Sequence, residues 1–161
     1  MRRRTLSVTL TALLAVLVTT PHSLVGRQPE PWFGTWSLNP AKSGRSNSSH
    51  FKRETCRSEP WGDGLKVTYD MVGTRGGVTH MEWTGRFDGK DYIMQGMDSV
   101  LTNAYRKIDD RSYEIVIKRD GEVAATARVA VSPDGQTLNV ATEGQNASGQ
   151  IMRTTTVYER K

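Results

Sequence analysis

From residue 62 onward the chain alternates between apolar and polar side chains. Leu65-Lys66-Val67-Thr68-Tyr69-Asp70-Met71, His80-Met81-Glu82-Trp83-Thr84-Gly85-Arg86-Phe87 and Ser112-Tyr113-Glu114-Ile115-Val116-Ile117-Lys118 each put one apolar and one polar face on a pleat of period two. Turn signals separate these runs: Gly62-Asp63-Gly64, Gly76-Gly77, Asp88-Gly89-Lys90, Asp109-Asp110, Asp120-Gly121, Pro133-Asp134-Gly135 and Asn146-Ala147-Ser148-Gly149. Asp88-Gly89 and Asp120-Gly121 predict two-residue type I′ hairpins, whose positive φ Asp and Gly tolerate. No segment after the leader holds a helical apolar stripe for more than about two turns, and Val, Ile, Thr, Tyr and Trp dominate the alternating runs. The fold class expected is all-β. About eight to ten strands joined by hairpins avoid exposed edges by closing into a single antiparallel up-and-down β-barrel.

Two segments break the alternation. Met1-Arg2-Arg3-Arg4 followed by the apolar run Leu6 to Val18 reads as a secretory signal, so residues 1–26 are assigned to a signal peptide and residues 31–161 to one barrel domain. That run is shorter than the roughly 20 apolar residues of a permanent span, so no stable membrane span is expected after cleavage, and a secreted or periplasmic location follows. No Cys lies at the expected cut, which argues against a lipid-modified N-terminus. The second segment, residues 39–60, is rich in Ser, Asn, Lys and Arg and reads as a long loop, either a flap over a barrel mouth or a plain surface excursion.

Charge and cysteine content narrow the function classes. The formal charge of +5 loses Arg2, Arg3 and Arg4 with the leader, leaving 19 Lys and Arg against 17 Asp and Glu, a balance of +2. The remaining bases alternate with acids instead of forming a stripe, so no nucleic-acid partner is expected. With one cysteine, Cys56, no internal disulfide is available, and Cys56 is read as a plain half-buried thiol.

Gly34-x-Trp36 at the head of an all-β chain resembles the signature of the lipocalins and their calycin relatives. Over residues 31–161 the pattern "FGTWSLNPAKS … GLKVTYD … FDGKDY … RKIDDRSYEIVIKRDG … VSPDGQTLNV … VYERK" is similar to a group of bacterial exported lipocalin-like domains. The resemblance implies a structural plug: Gly34 allows a tight turn, Trp36 covers the closed end, and an arginine from a late strand stacks on the indole. Arg153 or Arg160 is available for that role, and Arg153 is assigned to the plug. A full-size lipocalin normally adds a C-terminal helix and often a disulfide, and this chain departs from it in both.

The same resemblance, with the alternation, makes the barrel interior the expected site. Tyr69, Met71, Met81, Trp83, Tyr92, Met94, Ile115 and Ala127 are the predicted ligand-binding residues, with Ile117 and Val129 on the same face. Gly85, Gly96 and the run Ala124 to Ala127 are expected to leave space, whereas a small barrel filled solid by its side chains is the alternative. The function expected is non-covalent binding of a small, mostly hydrophobic ligand.

An enzyme of the same fold, of isomerase or cyclase type, is the runner-up, with His80, Glu82 and Arg128 as its alternative catalytic set. In the row His80-x-Glu82-x-Thr84-x-Arg86, residues two apart share one face, but Trp83 turned inward sends that row to water. A protein-binding or inhibitor module using residues 39–60 is the third reading. The three histidines, His22, His50 and His80, are not spaced as metal ligands, and no His after residue 80 serves haem, so no metal and no cofactor are expected. No nucleophile elbow or phosphate-binding glycine loop is present.

Overall fold

The computed structural model describes residues 29–44, 51–146 and 148–161. The leader, His22, His50 and the loop centre at residues 45–50 lie outside them. Ten strands follow in order: β1 Gly34–Leu38, β2 Phe51–Trp61, β3 Gly64–Gly73, β4 Val78–Gly85, β5 Tyr92–Gln95, β6 Leu101–Asp109, β7 Ser112–Arg119, β8 Glu122–Val131, β9 Thr137–Gln145 and β10 Ile151–Arg160. Each pairs antiparallel with its chain neighbour, and β1 pairs with β10, closing an up-and-down barrel. The expected fold class holds, at the upper end of the expected strand count. Among the described residues no helix is long and apolar enough to cross a membrane.

The turn chemistry explains most of the hairpins. Asp120 and Gly121 both have positive φ, 51° and 86°, as a type I′ turn between β7 and β8 requires. Asp88-Gly89 departs from its expected hairpin. Only Gly89 has positive φ, and the Asp88 carboxylate accepts the Lys90 N–H at 3.0 Å, so these residues sit inside a longer loop between β4 and β5. At Asp109 the carboxylate caps the β6–β7 turn by accepting the Arg111 N–H at 2.8 Å and the Ser112 hydroxyl at 2.7 Å.

The expected loop over 39–60 is corrected. Phe51–Trp61 is the long strand β2, laddered to β3 with one irregularity between Phe51 and Arg53, and Asn39–Gly44 runs on beside β10, where Gly44 N–H donates to Thr155 O at 2.7 Å and Ser43 hydroxyl accepts from Val157 N–H at 2.9 Å. Among the described residues, 39–44 and 51–60 are thus a segment beside β10 and a strand of the barrel wall, not a flap, and the inhibitor reading loses those residues as loop. β1 is less than half the length of β2, and its pairing ends at Ser37 with β2 and at Leu38 with β10.

The closed end is built around Trp32 and Trp36, both fully buried. Trp36 Nε1–H donates to Trp32 O at 2.9 Å. Trp32 packs edge-on against Tyr113 at 5.2 Å and against Phe87 at 5.4 Å between ring centres, with the Lys107 ammonium 5.3 Å above it. The arginine that covers Trp36 is Arg160, 4.2 Å from the ring centre, and not Arg153. The Arg160 guanidinium also donates to Phe33 O, Pro31 O and Gly135 O at 2.9, 2.7 and 2.7 Å, lashing the first turn to the β8–β9 turn. Arg153 lies on the outer surface, paired with Glu143 at 2.6 Å. Parity decides between them, because Thr154, Thr156, Tyr158 and Arg160 alternate onto the inner face and Arg153 onto the other. Gly34, at φ 139°, leaves the room this requires: a Cβ there would lie 2.5 Å from Arg160 Nη1.

Candidate functional site

Register places Tyr69, Met71, Met81, Trp83, Met94, Ile115 and Ala127 on the inner face of the barrel. The interior they share is not uniformly hollow. Trp83 lies flat on Tyr105 at 3.8 Å between ring centres, and Tyr105 stacks on Tyr113 at 5.3 Å, so the closed half is solid aromatic core. Trp83 and Ile115 are walls of that packed half. Tyr92 meets Trp83 edge-on at 5.8 Å, and its hydroxyl donates to Asp88 at 2.9 Å, away from the interior. Gly85 leaves no space either, since a Cβ there would lie 2.5 Å from the Trp83 ring, and one at Gly96 would lie 2.1 Å from His80 O.

Space remains at the open half. Leu101, Ile117, Arg119, Ala124, Ala125, Thr142, Gly144, Gln145, Met152 and Thr154 enclose a recess of about 280 Å³. Ala125 and Gly144 face each other across the β8–β9 ladder and wall it with little side-chain bulk; the backbone there is close, and a Cβ at Gly144 would lie 2.8 Å from Ala124 O and 3.0 Å from Ala125 Cβ. Around the mouth, the hairpin ends expose Val78, Met97, Val100, Val123, Ile151 and Met152. None of the eight predicted ligand residues lines this recess. Its walls come from the β6–β10 side, where Ile117 and the alanine run of β8 carried the sequence signal. Two larger hollows lie outside the barrel wall. One of about 690 Å³ flanks the plug, where Arg86 is paired with Asp63 at 2.7 Å and Lys107 with Glu30 at 3.0 Å; one of about 410 Å³ lies on the outer face of β8–β10 beside the Arg153–Glu143 pair.

Between recess and plug, ionisable groups converge. The Tyr158 hydroxyl donates to Glu54 Oε1 at 2.5 Å, and burial pushes the Glu54 carboxyl above its ordinary range, partly offset by that hydrogen bond. Tyr69, Tyr105, Tyr113 and Tyr158 are all raised, first by burial and then by a neighbouring acidic group, Cys56 for Tyr69 and Tyr105, Tyr105 for Tyr113 and Glu54 for Tyr158. Among the described residues four buried side-chain atoms have no partner, Trp32 Nε1, Ser58 Oγ, Asn103 Oδ1 and Thr154 Oγ1.

Cys56 is fully buried at the centre of this group, beyond the half-buried thiol expected, and burial pushes it up to about 12. Its folded value exceeds its ordinary value of 9.0, so its contribution to stability is intact below that pH and lost as pH rises toward 12. At pH 8 the native thiol is expected to resist iodoacetamide and to react in denaturant, measured by mass spectrometry; rapid labelling of the folded chain would contradict the burial.

The alternative catalytic residues do not meet. His80 Nδ1 lies 2.7 Å from Asp70 Oδ1, and Glu82 pairs with Lys66 at 2.6 Å, both on the outer face of β3–β4. Arg128 faces outward on β8, opposite Glu114 and Ala141. A reactive ligand in the barrel touches none of the three, which corrects their assignment as barrel groups. Among the described residues no cluster of three His, Cys, Asp or Glu side chains is placed to hold a metal ion.

No protein-family model matches the chain, and no curated protein matches it. Solved structures do match. One, the siderocalin Ex-FABP, described as functioning through dual ligand specificities, is 11% identical over 81% of this chain and 71% of that one, with a TM-score of 0.37. At that distance neither ligand nor activity passes to this chain.

Proposed function

We propose that this chain is an exported, lipocalin-like binding protein that holds a small, mostly apolar molecule in the open half of its barrel. The observation that carries this reading is the Ala125–Gly144 recess of about 280 Å³, placed inside the barrel wall and opening within a ring of exposed aliphatic side chains. An apolar body buried there gains roughly 25 cal/mol for each Å² removed from water, while Thr142 and Thr154 offer hydroxyls for one polar end. The packed aromatic half below limits the ligand to a short or slender molecule.

The test is binding of the neutral fluorescent probe N-phenyl-1-naphthylamine. Wild-type protein is expected to bind it and to be stabilised by about 2.7 kcal/mol at a probe concentration one hundred times the dissociation constant. Ala125→Phe fills the recess and is expected to weaken binding by about ten-fold or more while the barrel stays folded. Absence of binding to the wild type, or equal binding by both proteins, overturns the reading.

A further inference from the structure

The charges facing the interior are unevenly distributed along the barrel axis. At the closed end Lys107 is engaged by Glu30 and Arg160 is committed to Trp36 and three carbonyls. At the rim Arg119 is exposed at the end of β7. Lys52 and Arg53 are also exposed, at the start of β2. Between these levels the inward ionisable groups are Glu54, Cys56, Tyr69, Tyr105, Tyr113 and Tyr158, all of them acids. Among the described residues Glu54 makes no ion pair; its partner is the neutral Tyr158 hydroxyl.

A half-buried carboxylate without a counter-charge is costly, and here the surrounding groups repeat the same demand. Asn103 is only 4% exposed, and its unpartnered Oδ1 is an acceptor waiting for a donor on the inner face of β6. Tyr158 is hydrogen-bonded to Glu54, and Tyr69 lies opposite Cys56, the next inward position of β2. A carboxylate-ended guest meets repulsion at this depth, whereas an ammonium supplies both the missing charge and N–H donors.

From this geometry we infer that the ligand is an amphipathic amine, its apolar body in the recess and its protonated nitrogen directed to Glu54 among Tyr69 and Tyr158. The inference rests on the carrier reading and specifies its substrate class. It gives the raised Glu54 a physical role, since a cation at its side reverses the effect of burial.

The experiment compares n-octylamine, 1-octanol and octanoate by isothermal titration at pH 7 on wild type, Glu54→Gln and Tyr158→Phe. Octylamine is expected to bind wild type about ten-fold or more tighter than octanol, with octanoate weakest, as a charge-assisted hydrogen bond in a half-buried site implies. Glu54→Gln keeps an acceptor for the Tyr158 hydroxyl and is expected to erase the amine advantage, so that octylamine and octanol bind this variant about equally. Tyr158→Phe removes that hydroxyl, leaves the carboxylate, and is expected to retain the preference, which keeps the test informative if Glu54→Gln fails to fold. Octanol or octanoate binding as well as octylamine overturns the amine inference alone, as does an amine preference that survives Glu54→Gln. If none of the three binds, the carrier reading falls and the inference with it.

Discussion

Arg160→Ala is expected to lower stability by about 3–5 kcal/mol, from three charge-assisted hydrogen bonds worth roughly 1.5–3 kcal/mol each less what water restores. The guanidinium joins Pro31, Phe33 and Gly135 while lying over Trp36, so one truncation unties the plug from both ends of the chain and from the β8–β9 turn. Arg160→Lys keeps the charge but not the planar fork, and is expected to recover less than half of the loss. Arg153→Ala breaks only an exposed pair with Glu143, and is expected to stay within about 0.5 kcal/mol of wild type. Urea denaturation of the three variants checks the order; an Arg153→Ala protein as damaged as Arg160→Ala would refute the plug described here.

Trp83→Ala is expected to cost about 3–5 kcal/mol, the usual range for deleting a fully packed indole. The ring is fully buried, stacked on Tyr105, edge-on to Tyr92, and its Nε1–H donates to Tyr92 O at 3.2 Å. Neighbouring rings are themselves interlocked, so collapse into the void is restricted and the upper half of the range is expected. Trp61→Ala is the matched control. That indole is 57% exposed at the end of β2, and its loss is expected to change stability by less than about 1 kcal/mol. Thermal unfolding separates the two, since each kcal/mol moves the midpoint of a domain this size by roughly 2–8 °C. A Trp83→Ala protein melting with wild type would mean that the closed half is not packed as described.

Much of the architecture was legible in the residues because alternation and turn chemistry agree. β3, β4 and β7 carry bulky apolar side chains at every second position, and Asp120-Gly121 names its own turn. β2 escaped because its inner row is Glu54, Cys56, Ser58 and Pro60, so no hydrophobic signal marks which face looks inward. That camouflage and the candidate site have one origin: a strand that turns a carboxylate and a thiol toward the interior reads as a loop. The glycines misled for a related reason. Composition does not tell a glycine beside open space from one whose neighbours already fill its place: a Cβ at Gly85 would lie 2.5 Å from the Trp83 ring, and one at Gly144 2.8 Å from Ala124 O. Arg153 was mistaken for the plug arginine because residue type alone does not carry parity. Counting alternate positions back from Arg160 through Tyr158 puts Arg153 on the outer face.

The Arg160 bond to Phe33 spans 127 positions in sequence. Hairpin contacts between successive strands are local, whereas the β1–β10 seam joins the two ends of the barrel, so its closure carries the largest loop-entropy cost of any strand pairing here. A nascent chain still lacking β10 therefore presents two unsatisfied strand edges and an uncovered pair of indoles, the conditions under which holdase chaperones engage and neighbouring copies exchange strands.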